Sequence, residues 1–241
     1  MCPQFAGVSQ TSDGVGRMKL PSSQKEAMRQ YPSDIAFTPA VKKIQTENGS
    51  RSAYARVEQG RGWRTAVTPD FAEFVSDLDM FYLGTVNAEG QPYIQYRGGP
   101  RGFLKVLDDR TLGFADFGGN RQYITLGNLS ENPQAFLFLM DYANAGRVKV
   151  WGTARIVADD PALLARLHDS EYPGTVERAI LFTIEAWDIN CPQHIHQRLL
   201  QSETAPIIAG LEATIAGLEE QLRQLRCRAE QANSDGELMS S

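Results

Sequence analysis

The sequence predicts a mostly β, α+β fold: an antiparallel β-barrel with flanking helices and a C-terminal amphipathic helix. Two observations carry this expectation. Between residues 80 and 189, six or seven segments rich in aromatic and β-branched residues follow one another across tight turns, with one helix inserted between strands and few crossovers. Beyond residue 200, apolar residues recur at alternating spacings of three and four, a helical seam.

Residues 1–36 are rich in Ser, Gln, Gly and Lys without an apolar period, and read as a loose arm. A barrel domain with N-terminal helices is expected over 37–200, and a heptad helix with a frayed tail over 201–241. Thr38-Pro39 opens the first helix: Thr accepts from a first-turn N–H, and Pro is tolerated where the N–H has no partner. Asn48-Gly49 should close it through a left-handed C-cap. Thr68-Pro69 opens a second helix, with Phe71, Phe74, Val75 and Leu78 on one face. Segments 80–86 and 91–96 read as a hairpin across Asn87–Gly90. Strands follow at 103–107 and 112–117, then a short helix over about 121–130, closed by Asn132-Pro133. Segments 135–142, 148–157 and 179–189 complete the strands, and Asp160-Pro161 caps a helix to about Asp169. In the tail, Ile208, Leu211, Ile215, Leu218, Leu222 and Leu225 form about three heptads, beyond which the polar residues after Cys227 should fray.

Composition narrows the function. The 241 residues hold 24 Lys+Arg against 29 Asp+Glu, a net charge of −5, which opposes a dedicated nucleic-acid binder. No apolar run approaches the roughly 18 residues of a membrane span, and the N-terminus lacks the apolar core of a signal peptide. Cys2, Cys191 and Cys227 are odd in number and far apart, so they form no disulfide framework. The expectation is a cytoplasmic protein with reduced thiols, bound neither to membrane nor to nucleic acid.

Two glycine-rich segments offer chemistry. Gln95-Tyr96-Arg97-Gly98-Gly99-Pro100-Arg101-Gly102 ends a strand with three glycines and two arginines. Glycine lets a ligand approach backbone N–H groups, and a guanidinium supplies a forked donor to phosphate. A plain turn with solvated arginines fits equally well. Phe114–Gln122 runs from a strand through Asp116, Gly118 and Gly119 to Asn120, Arg121 and Gln122 at a helix start. Unsatisfied N–H groups and the positive dipole end make such a start an anion site, whereas Asn120 alone reads as an N-cap. Neither a P-loop nor a dinucleotide fingerprint is present.

These segments, with the Glu89-Gly90 turn, Asn132-Pro133, the 148–157 strand and Trp187, resemble the FMN-binding split-barrel flavoproteins, the pyridoxamine 5′-phosphate oxidase-like group, from about Asp70 to Gln197. The resemblance implies an FMN-binding split β-barrel that dimerises, with two FMN molecules held between subunits. It implies cofactor-binding roles for Arg97, Gly98, Asp116, Asn120, Arg121, Gln122, Arg147 and Trp187. Asn120 and Gln122 replace the Ser and Lys of the oxidases, leaving one positive charge fewer, and Arg147 stands where those oxidases have a glutamine reaching the flavin across the dimer. The tail motif that binds pyridoxamine phosphate is missing. In its place stands Asn190-Cys191-Pro192-Gln193-His194-Ile195-His196.

The implied function is an FMN-dependent oxidoreductase acting on a small organic substrate, with NAD(P)H or oxygen as the other partner. The vitamin-biosynthetic oxidase itself is not implied. The alternative is a non-enzymatic flavin- or haem-binding module for storage or sensing, with His194 or His196 as the axial ligand. Cys191, His194 and His196 have a spacing that suits a metal, but no fourth ligand lies near, and no metal is expected. The reading preferred is a polar loop on the substrate side of the flavin: Cys191, Gln193 and His196 line it, and His194 serves as catalytic donor or proton relay. The heptad seam is expected to support further self-association.

Overall fold

The computed structural model describes residues 29–189 and 193–238, with side chains to residue 229. The chain divides into two compact units at the Ala66/Val67 boundary.

In the first unit, a 3-10 turn at Pro32–Ile35 precedes α1 (Pro39–Glu47) and α2 (Arg51–Gln59). The Thr38 hydroxyl accepts from the Val41 N–H, and Gly49 follows the helix at φ +74°, the expected cap at each end. The second helix was not foreseen. Ser50 makes no side-chain cap, and no proline marks the helix start. What holds it to α1 are Arg51, whose Nη1 donates to Gln45 Oε1 at 2.7 Å, and the buried Glu58, which stands 4.0 Å from Lys42 Nζ, pairs with Arg51 inside its own helix and accepts from Ser33. Phe37 packs against the rings of Tyr54 and Trp63 at 5.2 and 5.0 Å.

The second unit opens with α3 (Pro69–Ser76), where Thr68 accepts from the Phe71 N–H. Seven strands follow: β1 (Met80–Val86), β2 (Pro92–Gly98), β3 (Lys105–Val106), β4 (Thr111–Phe117), β5 (Gln134–Asp141), β6 (Gly146–Val157) and β7 (Val176–Ile189). They form one sheet, every neighbouring pair antiparallel, in the order β2-β1-β5-β6-β7-β4-β3. Between strands lie α4 (Ile124–Glu131) and α5 (Pro161–Leu167), and α6 (Gln201–Leu238) ends the unit.

The sheet curls on itself. Three strands separate β1 from β4, yet the ring of Phe81 meets that of Phe114 edge-on at 5.1 Å. Alternate residues of β1, β4, β5, β6 and β7 point into one core, among them Leu83, Leu112, Leu137, Val150 and Phe182. Phe71, Val75 and Leu78 from α3 and its exit close one end of it. On the far side, Asn128 of α4 donates to Thr85 of β1 at 3.0 Å.

Several boundaries differ from expectation. β3 is two residues long because Phe103 and Leu104 turn into the core instead of pairing. α4 starts at Ile124, three residues late, because Arg121 and Tyr123 take left-handed conformations incompatible with a helix. β7 begins three residues early, where its pairing with β4 shifts register beside Phe117. The backbone of α6 stays helical to Leu238, past the expected fraying point at Cys227.

Two glycines should respond in opposite directions. Gly152 sits at the register shift between β6 and β7, where a Cβ would be driven into the Thr183 carbonyl and the Phe182 ring. Gly127 lies in the exposed interior of α4, where a Cβ meets nothing within 4 Å. Urea unfolding of Gly152→Ala should show a loss of about 2 kcal/mol or more, whereas Gly127→Ala should gain about 0.5–1 kcal/mol.

Candidate functional site

Strand alternation on β2 turns Tyr93, Gln95 and Arg97 to one face and Ile94 and Tyr96 to the other. The first face borders a cavity of about 250 Å³, whose opposite wall is the β4–α4 loop and the start of β7. Asp116, Asn120, Arg121, Gln122, Tyr123 and Glu177 line that wall.

An ion-pair chain sets the geometry. Arg97 Nη1 donates to Asp116 Oδ1 at 2.5 Å, and Arg178 Nε stands 3.5 Å from Asp116 Oδ2. Arg178 also pairs with Glu177. The Asp116 and Arg97 side chains are only 7% and 12% exposed, so the pair acts in a low-dielectric setting. The guanidinium carbons of Arg97 and Arg178 lie 5.8 and 5.6 Å from the ring centres of Phe114 and Tyr123. Arg97 Nε is buried and has no hydrogen-bond partner.

The β4–α4 loop is held in an unusual form. Arg121 and Tyr123 have φ of +58° and +55°, a region costly for side chains with a Cβ. Asn120 Oδ1 accepts from the Gln122 N–H at 3.2 Å, which tightens the turn. No side chain caps the first turn of α4. Its N-terminal end therefore carries a partial positive charge into a cavity that already holds Arg97 and Arg121. Behind it, Thr125 Oγ1 donates to Gln95 Oε1 at 2.6 Å and ties the helix to β2.

The other face of the sheet is apolar. Tyr82, Gly84, Ile94, Phe136 and Phe138 line an open concavity of about 400 Å³ there. The Arg147 guanidinium lies over Phe138 at 5.8 Å, and Lys149 Nζ lies over Trp151 at 5.2 Å. Lys149 Nζ is also 3.7 Å from Asp188 Oδ2. Burial lowers the Lys149 ammonium below its ordinary range and raises the Asp188 carboxyl above its own, in each case against their mutual attraction.

The structure thus gathers Arg97, Asp116, Asn120, Arg121 and Gln122 around one cavity. Asp116 has both oxygens directed at arginines, so it orients guanidinia and offers a ligand no donor. Gly98 lies at the end of β2, next to the Tyr96 ring and outside the cavity lining. Arg147 lies on the outer face, not in the cavity of its own chain. Trp187 requires a correction: it is 2% exposed and stacks on Phe71 at 4.5 Å, so it packs the core and has no surface to offer a cofactor. Gln193, His194 and His196 are exposed and border neither wall of the cavity, and His194 has φ +66°. Cys191 lies outside the described residues.

Sequence reasoning missed Gln95, Tyr123, Thr125, Glu177 and Arg178. The period-2 alternation through Arg97 already put Gln95 on the same face. Arg178 needed the β4–β7 register, which sets it directly opposite Asp116.

The family model for pyridoxamine 5′-phosphate oxidase matches residues 67–191, so the chain belongs to that family. The match begins where the second compact unit begins. No curated protein matches. Among solved structures, HupZ of Group A Streptococcus is 17% identical over 55% of this chain and 99% of its own, with a TM-score of 0.43. An FMN-binding protein from Syntrophomonas wolfei is 14% identical over 61% and 97%, with a TM-score of 0.41. HutZ, the haem storage protein of Vibrio cholerae, is 16% identical over 50% and 92%, with a TM-score of 0.36. No helix among the described residues is long and apolar enough to cross a membrane.

The Asp116 carboxylate holds two arginines in place, so its loss should be felt as instability. Asp116→Asn leaves the buried Arg97 guanidinium without its counter-charge and Arg178 with Glu177 alone, and urea unfolding should show a loss of about 3 kcal/mol or more.

Proposed function

We propose that the protein is an FMN-dependent oxidoreductase that acts on a small organic substrate as a homodimer, with NAD(P)H or oxygen as the second reactant. The observation that carries this reading is the anion cavity. Three kinds of positive group converge on it: the oriented Arg97 guanidinium with its unpartnered Nε, the Arg121 side chain and the uncapped α4 N-terminus. A phosphate monoester fits that donor set, since guanidinium forks and helix N–H groups both favour a dianion. Gly119 leaves open space where a side chain would stand. No dinucleotide fingerprint is present, which favours FMN over FAD.

In this reading Arg97, Arg121 and the start of α4 hold the phosphate, while Asn120 and Gln122 shape the loop around it. Bound FMN supplies hydride or electron transfer to the site. The 250 Å³ cavity is smaller than a whole cofactor pocket, of about 300 Å³ or more, and is read as the phosphate end of the site. A second chain seated on the apolar outer face would cover Ile94 and Phe138 and bring its Arg147 toward the first chain's cofactor. His194 is the proposed donor or proton relay on the substrate side. The second reading is a flavin- or haem-binding module without turnover; it draws on the exposure of His194 and His196.

Absorbance of the purified protein separates the two cofactors: flavin bands at roughly 375 and 450 nm, or a Soret band. Heat release and mass measurement of the cofactor should give FMN; FAD or haem would overturn the proposal. Arg121→Ala should weaken FMN binding by about 2–3 kcal/mol, measured by titration calorimetry, with little change in apo-protein stability. His194→Gln keeps a donor but cannot exchange a proton. It should leave the flavin spectrum and affinity unaltered and lower turnover about a hundredfold, measured by steady-state rates with a small-substrate panel.

A further inference from the structure

The apolar seam of α6 is covered by nothing among the described residues of its own chain. Ile208, Leu211, Ile215, Leu218, Leu222 and Leu225 are each between 52 and 60% exposed along a continuous helix. Among the described residues, the helix is tied to its barrel near its start, where Arg101 pairs with Glu203 at 3.0 Å. Pro206 follows, and the seam begins just beyond it.

We propose that this seam pairs with the α6 of a second copy of the chain in a parallel two-stranded coiled coil. Two observations select that occupant. The seam repeats every seven residues with Ile, Ile and Leu at the a positions and Leu at every d, which favours two parallel strands. Its six side chains expose on the order of 600 Å² per helix, near the roughly 800 Å² that each partner buries in a standard interface.

Charge then selects the orientation. In a parallel pair, Glu219 faces Thr214 of the other copy, and Arg226 faces Gln221, so no charge meets its like. An antiparallel pair that keeps all six layers in contact sets Glu212 and Glu219 along the same edge as their own copies, which is repulsive. Glu220 and Arg223 pair with each other at 2.6 Å on the outward side and leave the seam uncrossed. The native thiol of Cys227 sits at an outward f position, where two copies stand far apart in such a pair.

Cysteine cross-linking of the full-length holoprotein tests this. Leu225→Cys is made together with Cys227→Ser, and both it and the wild type are oxidised at low micromolar concentration. Parallel pairing brings two d-position thiols together, so the variant should form a disulfide dimer at least tenfold faster than the wild type. A rate equal to wild type would overturn the proposal. So would preferential linkage between Ile208→Cys and Leu225→Cys chains, the signature of antiparallel pairing. Adding Leu218→Glu to the cross-linking variant should abolish the rate gain; retention of the gain would mean that the contact is not the seam. Flavin absorbance read on the same samples reports on the barrel site separately, so failure of the coiled coil and failure of the cofactor reading are distinguishable.

Discussion

The pair between Arg97 and Asp116 joins residues from opposite ends of the sheet. β2 is one edge, and β4 stands next to the other, with four strands between them in hydrogen-bond order. No ladder hydrogen bond links the two, so side chains must. The 2.5 Å contact between Arg97 and Asp116 does so on the polar side, and Phe81 against Phe114 does so in the core. A buried ion pair has weak claim to net stability, because removing two charges from water costs about what their attraction returns. Its value lies in what it excludes: with Asp116 in place, Arg97 and Arg178 have one favourable arrangement, and the cavity between the sheet's ends keeps its shape.

The loop on the far wall adds a second constraint of a different kind. Arg121 and Tyr123 adopt left-handed backbone angles at a cost in free energy, and the Tyr123 ring lies under the Arg178 guanidinium. The surrounding structure imposes that cost. Asn120 tightens the turn, Thr125 binds β2 through Gln95, and Asn128 binds β1 through Thr85. Once α4 is fixed from behind by two hydrogen bonds, its first turn has one direction to point, and that direction is the cavity.

Much of this was legible in the chain. The caps at Thr38 and Thr68, the hairpin at Asn87–Gly90 and the alternation through the long strands all follow from local chemistry, because their signals lie within a few residues of their effects. The cavity residues Arg97, Asn120, Arg121 and Gln122 were legible because glycine-rich strand ends and helix starts are local features too. What escaped depended on contacts distant in sequence. Arg178 matters only because strand register sets it against Asp116, sixty-two residues earlier in the chain. Trp187 is a like case: the family resemblance implied a place beside the cofactor, whereas in this chain the ring stacks on Phe71 in the core, a contact with a residue more than a hundred positions earlier. Helix α2 lacked a cap signal, and contacts to α1, from Arg51 to Gln45 and from Lys42 to Glu58, took its place.

The two faces of β2 show how one strand carries unlike tasks. Its inward residues, Gln95 and Arg97, are engaged by α4 and β4 and have fixed partners. Its outward residues, Ile94 and Tyr96, are more than half exposed beside the aromatic side chains of β5. An edge strand with free backbone groups and an apolar face invites association, and natural sheets blunt that tendency with charge or twist. On this sheet the charges sit one strand further on: Arg147 lies over Phe138, and Lys149 lies over Trp151. Cations laid flat on aromatic rings cover apolar surface with their stems while keeping their heads accessible. Such a face resists indiscriminate edge pairing and still leaves a flat aromatic surface for one complementary partner. The arginine-lined cavity and the exposed aromatic face are therefore opposite sides of the same strand, and any force that shifts β2 against β4 acts on both.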